Sequence, residues 1–178
     1  ARCYHELGYI ERRLRRMEVI MVSFRDLKEF ELFSGLNDTK LAKIAKLCEK
    51  RTLEDGALCF KQGNKALGLH LCHNGKINIL YRIHEPWAIE VITHAVKAGE
   101  VFGWSALVEP HIYTASAKCV GKVEEIYIVG AELRKLLDAN PAMGYVVMKN
   151  LSTLMSSRLT ETRRRLTKEI AASINKEW

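Results

Sequence analysis

Apolar residues recur at intervals of three and four near the amino terminus, and this spacing predicts a helix over residues 5–32. The pattern breaks at Phe33-Ser34-Gly35-Leu36. Asn37 or Asp38 is then placed to cap a second helix. The stripe of the first helix comprises Leu7, Ile10, Leu14, Met17 and Met21, and the buried face of the second comprises Leu41, Ile44, Ala45, Leu47 and Cys48.

From about residue 51 apolar and polar residues alternate, which is the period of a half-buried β-strand. Glycine-centred turns divide this stretch at Asp55-Gly56, Gln62-Gly63 and Asn74-Gly75. Because Asn-Gly is a strong signal for a two-residue hairpin, we expect Asn74-Gly75 to join two strands. Short antiparallel strands at this spacing indicate a barrel or a jelly roll. The predicted strands cover residues 58–61, 69–73, 76–81, 88–95, 112–120 and 124–129.

Helical periodicity returns in Glu132–Ala139, and Asn140-Pro141 then begins a longer helix that runs towards residue 170 or beyond. This helix carries two apolar stripes. One stripe can cover the strands, whereas the second has nothing left to pack against, which predicts a homodimer through residues 141–170. The alternative is one broad stripe packed within the chain. The stripes are Val147, Leu151 and Leu154 on one side, and Met148, Met155 and Leu159 on the other.

The composition is that of an ordinary globular domain. The 178 residues suffice for one domain with its own core, and no run approaches the ~18 apolar residues of a membrane span. The N-terminal stretch does not have the pattern of a signal peptide, and the five cysteines form no CxxC pair. We therefore expect reduced thiols, a cytoplasmic location and no membrane partner. The net charge of +7 is concentrated at the two ends and is interpreted as solvated helix faces, without direct DNA binding.

The stretch Gly99–Ala117 holds the most distinctive local chemistry. Gly103 lets the backbone approach another group closely, since glycine has no Cβ. A helical turn over Trp104–Leu107 follows, and its first amides lack partners within the turn, so they favour an anion or a strongly polar group. The alternative is an ordinary loop between two strands that binds nothing.

Taken with Leu32–Leu36 and Leu133–Pro141, this loop resembles the cyclic nucleotide-binding domain of bacterial catabolite-activator (Crp/Fnr-type) regulators, over roughly residues 24–166. The resemblance implies an α+β fold: an antiparallel β-roll (a double-stranded jelly roll) with N-terminal helices and a long C-terminal dimerisation helix. The expected divisions are an N-terminal helical extension (1–23), the roll (24–140) and the long helix (141–178), with no DNA-binding domain in this chain.

In that family the equivalent loop is the phosphate-binding cassette, in which a Glu accepts from the ribose hydroxyl and an Arg neutralises the cyclic phosphate. Here Trp104 stands at the Glu position and Tyr113 at the Arg position. Each lost charged hydrogen bond costs about 1.5–3 kcal/mol, so tight cyclic AMP binding is not expected. The resemblance implies a ligand site that comprises Phe102, Gly103, Trp104, Ser105, Ala106, Leu107, Tyr113, Thr114 and Ala115.

Hydroxyls of Ser105, Tyr113, Thr114 and Ser116 remain beside the loop, with Arg82, Lys118 or another base as an alternative source of positive charge. Such a site suits a less charged, flat or polar ligand, or none. A cyclic nucleotide or another small polar or anionic ligand is the candidate, and no cofactor is firmly indicated. The resemblance implies that the domain is a regulatory sensor that signals through a helix dimer. Two alternatives stay open: a ligand-free dimerisation or docking module, and a Crp/Fnr-type transcriptional regulator that lacks its helix-turn-helix in this chain.

Metal and enzyme functions have weaker support. His70 and His73 lie three apart on a strand and face opposite sides, so they cannot both point into the roll. The histidine spacing does not match the cupin pattern, and haem ligation by one His or Cys has no further support. No nucleophile elbow, P-loop or HExxH motif is present, so no catalytic residues are proposed.

Overall fold

The computed structural model describes residues 22–83, 86 and 88–174. Most of the predicted helix over residues 5–32 lies outside this range. Within the range, Ser23 has extended backbone (φ −79°, ψ 148°) and caps a new four-residue helix α1, Phe24–Leu27. A continuous helix through Ser23 is therefore wrong, because a serine hydroxyl and a nearby carboxylate satisfy the free amides of a helix start here.

A 3-10 helix, Glu31–Phe33, and helix α2, Asp38–Ala45, complete the N-terminal layer. The cap prediction is confirmed, since the Asn37 side chain accepts from the Lys40 amide at 3.0 Å. Leu41 and Ile44 are fully buried on the inner face of α2. These short helices lie against the core that the C-terminal helix also covers.

In the residues that the structure describes, six antiparallel strands form one sheet with the order β1-β6-β3-β4, in which β2 pairs with β6 and β5 with β3. The antiparallel roll with flanking helices is thereby confirmed. Two long strands, β3 and β6, form its centre and pair over most of their length. The strands are β1 Cys48–Leu53, β2 Leu58–Phe60, β3 Gly68–Ile83, β4 Ile89–Lys97, β5 Val101–Phe102 and β6 Ser116–Val129.

Strand β1 was not predicted, and the assignment of Cys48 to the helix α2 is wrong, because α2 ends at Ala45. Two predicted breaks between strands also differ from the structure. Asn74-Gly75 does not form a hairpin: β3 continues through it, with register shifts against β6 on both sides of Asn74. The left-handed glycine forms a bulge that kinks the strand instead of reversing it. The predicted strands 112–120 and 124–129 are one strand, β6, which begins only at Ser116 and runs through Gly121.

The C-terminal part follows the prediction closely. Helix α3, Gly130–Asp138, leads into helix α4, Pro141–Ile174. Val147 and Leu151 of α4 are buried in the core, whereas Met148 and Leu159 are 40% and 51% exposed. Within the described part of the chain, no helix combines the length and apolarity that a membrane crossing requires.

Candidate functional site

The predicted cassette forms a tight turn directly after β5. Gly103 adopts a left-handed conformation (φ +71°), and residues Trp104–Ala106 then form a 3-10 helix. A Cβ at Gly103 would lie 2.9 Å from Cδ2 of His70, so the backbone fits here only without a side chain. The 3-10 helix over Trp104–Ala106 is the helical turn that the sequence predicts here. Among the described residues, the amides of Ser105, Thr114 and Ala115 donate to no backbone or side-chain acceptor.

A cavity of about 140 Å³ lies between the cassette, the roll and α4. Seven of the predicted site residues line it: Phe102, Gly103, Trp104, Ser105, Tyr113, Thr114 and Ala115. Ala106 and Leu107 do not; both are buried behind the turn, where the Arg134 guanidinium donates to the Ala106 carbonyl. The remaining lining residues are Phe60, Ile79, Thr93, His94, Val96, Arg158 and Thr162.

Tyr113 is held by the fold through both its ring and its hydroxyl. The ring stacks on Phe60 with 3.8 Å between centroids and 9° between planes. The hydroxyl donates to the Gly68 carbonyl at 2.8 Å and lies 3.4 Å from Nε2 of His70. Burial raises the pKa of Tyr113 to about 12, so the phenol stays neutral. Tyr113 therefore offers the cavity mainly an aromatic face.

Of the other hydroxyls expected beside the loop, Ser116 is also engaged within the fold, because its Oγ accepts from the Gln62 amide at 3.0 Å. The alternative bases do not reach the cavity. Arg82 and Lys118 are exposed and are not among its lining residues. The charge at this site comes from elsewhere.

Arg158 of α4 supplies a positive charge at the cavity, although it was not among the predicted site residues. Its guanidinium carbon lies 5.9 Å from the centre of the Trp104 ring, and its Nη2 lies 3.8 Å from a Glu100 carboxylate oxygen. Nη1 is buried without a hydrogen-bond acceptor among the described residues. Burial lowers the pKa of Arg158, and the charges of Glu100 and Glu161 oppose that shift.

A signal for Arg158 was present in the sequence. The buried stripe Val147, Leu151 and Leu154 advances by four and three residues, and the next step of four reaches Arg158. A further step of four reaches Thr162, which also lines the cavity. Because a helix keeps such positions on one face, a basic residue that continues an inner stripe indicates a charge directed at the domain rather than at solvent.

His94 lines the cavity, and Glu100 lies beside it, in contact with His94 and Arg158. Glu100 Oε2 accepts from the Lys97 amide at 3.1 Å and lies 3.2 Å from His94 Nε2. His94 Nδ1 lies 3.8 Å from a carboxylate oxygen of Glu161 on α4. Burial, followed by the charge of Arg158, lowers the pKa of His94. These contacts thus link β4, the cassette and α4 through polar and charged groups.

A buried pair lies behind the cavity wall. His70 Nδ1 is 2.9 Å from Glu125 Oε2, and both side chains are at most 3% exposed. His73 lies on the other face of β3, 3.6 Å from a Glu29 carboxylate oxygen. Within the residues that the structure describes, no group of three or more His, Cys, Asp or Glu side chains is arranged to hold a metal ion.

Comparison with known proteins places this geometry in a family. The model of the cyclic nucleotide-binding domain matches residues 50–140. A crystal structure of a Geobacter metallireducens protein described as cyclic nucleotide-binding is 32% identical, covers 78% of this chain and 99% of its own, and superposes with a TM-score of 0.69. The catabolite activator protein of Thermus thermophilus is 26% identical, with a TM-score of 0.64; the match covers 77% of this chain and 62% of that one.

A third relative is named as an enzyme, a glutaminase. Glutaminase 1 of Bradyrhizobium diazoefficiens is 26% identical over 75% of this chain, but the match spans only 21% of the glutaminase. The chain belongs to the cyclic nucleotide-binding domain family. It is a regulatory domain of the cyclic-nucleotide-binding type, with catabolite-activator proteins among its structural neighbours, and the family and these neighbours are binding domains rather than enzymes.

Proposed function

We propose that this domain is a sensor that binds a small anionic ligand, such as a cyclic nucleotide, and that Arg158 provides the cation that the cassette lacks. The observation that carries this proposal is the buried Nη1 of Arg158, which has no acceptor among the described residues. A buried cationic nitrogen without an acceptor is costly, so an anion beside it is stabilised.

The cassette supports the same ligand chemistry from the opposite side. The amides of Ser105, Thr114 and Ala115 are free to donate to an anion, as judged from the described residues. Trp104 adds a flat ring and an indole donor at the position where the family pattern has a carboxylate. The combination favours a flat ligand with one negative charge and disfavours a ligand that needs an acceptor at Trp104.

Ligand entry is expected to move α4. The cavity of about 140 Å³ is smaller than the roughly 300 Å³ at which ligand pockets usually begin. Arg158 and Thr162, which close it, belong to α4. A bound ligand would therefore favour a position of α4 further from the cassette, which is a population shift between two packings. We further propose that α4 transmits this shift through a homodimer formed by its exposed stripe.

Titration calorimetry with cyclic AMP and cyclic GMP tests the site. We expect binding in the micromolar range or weaker. Arg158→Ala should weaken that binding by about ten- to a hundredfold, because a charged hydrogen bond contributes about 1.5–3 kcal/mol. Arg164→Ala is the matched control, since Arg164 lies on the same helix but does not line the cavity.

Two results would contradict the proposal. Equal affinities of the wild type and Arg158→Ala would show that Arg158 does not contact the ligand. Sub-micromolar cyclic AMP binding would show that the substitutions at Trp104 and Tyr113 do not weaken recognition. If neither nucleotide binds, the ligand-free docking module becomes the better interpretation.

A further inference from the structure

Two cysteines face each other across the pairing of β2 with β6. Cys59 Sγ and Cys119 Sγ are 3.8 Å apart. Cys119 is buried, whereas Cys59 is partly buried and packs against the same core cluster. We propose that Cys59 and Cys119 are an oxidation site that forms a disulfide and thereby controls the wall of the ligand cavity; the second half of this statement rests on the proposed function.

The geometry of the two strands permits the bond. A disulfide needs about 2.05 Å between sulfurs, so the thiols have to approach by roughly 1.8 Å, within reach of side-chain rotation and a small strand shift. β2 has only three residues, and within the described part of the chain it pairs in the sheet with β6 alone. The register slips between Leu58 and Phe60, which leaves Cys59 at an irregular position that can adjust.

The other described cysteines have different surroundings. The Cys48 thiol donates to the Ile44 carbonyl, and the Cys72 thiol lies near the carbonyls of Asn74 and Gly75. Of the thiols in the described residues, only Cys59 and Cys119 contact each other. Cys48 and Cys72 therefore serve as internal controls.

A low-molecular-weight disulfide is the chemical class of oxidant. The Cys59 thiolate attacks one sulfur of that disulfide, releases one thiolate and leaves a mixed disulfide on Cys59. The Cys119 thiolate then attacks the Cys59 sulfur and releases the second thiolate. The protein loses two electrons and two protons, and the oxidant becomes two thiols. Burial raises the pKa of Cys59 and Cys119, so the reaction should accelerate as pH rises.

A disulfide at Cys59 would affect the cavity through Phe60, the next residue of β2. Phe60 follows Cys59 on β2, lines the cavity and stacks on Tyr113. Drawing Cys59 towards β6 moves the Phe60 backbone with it and fixes β2 in place. The neighbouring loops are joined by a pair of backbone bonds, Gly63 N to Tyr113 O and Tyr113 N to Asn64 O, and these should then open less often.

The test treats the purified chain with oxidised glutathione at alkaline pH under native conditions. We expect an intact mass lower by about 2 Da and a tryptic cross-link between Cys59 and Cys119. Cys59→Ala and Cys119→Ala should each abolish this product, and Cys48→Ala should retain it. Exchange of the Gly63 and Tyr113 amides should slow by about tenfold in the oxidised protein. Cyclic AMP, used as the probe, should bind at least about threefold more weakly.

The outcomes separate this inference from the proposed function. Absence of the cross-link in the wild type, or its persistence in Cys59→Ala, overturns the oxidation site whether or not a nucleotide binds. A cross-link that leaves amide exchange at Gly63 and Tyr113 unchanged overturns the control of the cavity wall, even without a ligand. If the cross-link forms and exchange slows but neither redox form binds a nucleotide, the oxidation site stands and the proposed function fails.

Discussion

Tyr113 both lines the cavity and packs inside the roll. The resemblance to the family's cassette aligns this residue with a charged side chain that faces the ligand. Here the ring stacks on Phe60, and the hydroxyl is bonded to the Gly68 carbonyl beneath it. The side chain is only 4% exposed, so it belongs to the wall of the roll as much as to the cavity. The aromatic contact of Tyr113 therefore belongs to the packing of the roll.

The residue-scale prediction concerns this hydroxyl. Tyr113→Phe keeps the stack but leaves the buried Gly68 carbonyl without the hydroxyl donor, so unfolding in urea should require about 1–2 kcal/mol less free energy. Tyr81→Phe is the control, because Tyr81 is 47% exposed, and it should change stability by less than about 0.5 kcal/mol. Nucleotide affinity should stay within about twofold in both variants. A large loss of affinity in Tyr113→Phe alone would place the hydroxyl on the ligand instead.

At the scale of elements, the sequence predicts types well and connections less well. Periodicity identified the roll, the capped α2 and the long α4, because apolar spacing reflects burial directly. It misplaced Asn74-Gly75, because the same left-handed glycine suits a hairpin or a bulge, and only the pairing of β3 with β6 decides between them. It also ended a strand at Gly121, where β6 continues.

In the candidate site, too, the sequence predicts the local motif but not the tertiary contacts. The cassette is a contiguous motif, so most of its residues could be named from the sequence. Arg158 and Thr162 come from a helix more than 40 residues further along the chain, and only the folded structure brings them to the cavity. Side chains that meet through tertiary packing leave no contiguous sequence pattern. The helix stripe that Arg158 continues is apolar, so it predicts core packing rather than a ligand site.

The bulge at Gly75 yields the element-scale prediction. Gly75 and Gly121 are both left-handed, at φ +99° and +72°. A Cβ at Gly75 would lie 2.8 Å from the Lys122 carbonyl oxygen, whereas a Cβ at Gly121 meets nothing within 4 Å. Gly121→Ala should therefore cost about 1 kcal/mol of backbone strain, and Gly75→Ala about 3 kcal/mol. Thermal and urea unfolding measure both; equal losses would mean that the contact with β6 relaxes freely.

For the whole molecule, α4 is the element that the proposed function requires to join packing, ligand and assembly. Its first half buries Val147 and Leu151 against the core, and its middle places Arg158 at the cavity. A second face, about a quarter of a turn round the helix from the buried one, exposes an apolar stripe that covers roughly 33 Å from its first to its last residue, at 1.5 Å per residue. The stripe comprises Met148, Met155, Leu159, Leu166 and Ile170. A ligand that moves Arg158 would thus move the exposed stripe on the same rigid helix.

A second copy of the chain is the expected partner for that stripe, because large apolar side chains repeated along one helix face are stabilised by removal from water. Sedimentation equilibrium should show a wild-type dimer at about 10 µM and above. Leu159→Glu, in the middle of the stripe, should give a monomer, since it would bury an unpartnered carboxylate in the interface. Ala172→Glu adds the same charge on the opposite side of α4 and should leave the dimer intact. A wild type that stays monomeric, or a dimer that tolerates Leu159→Glu as well as Ala172→Glu, would place any signal from the cavity within a single chain.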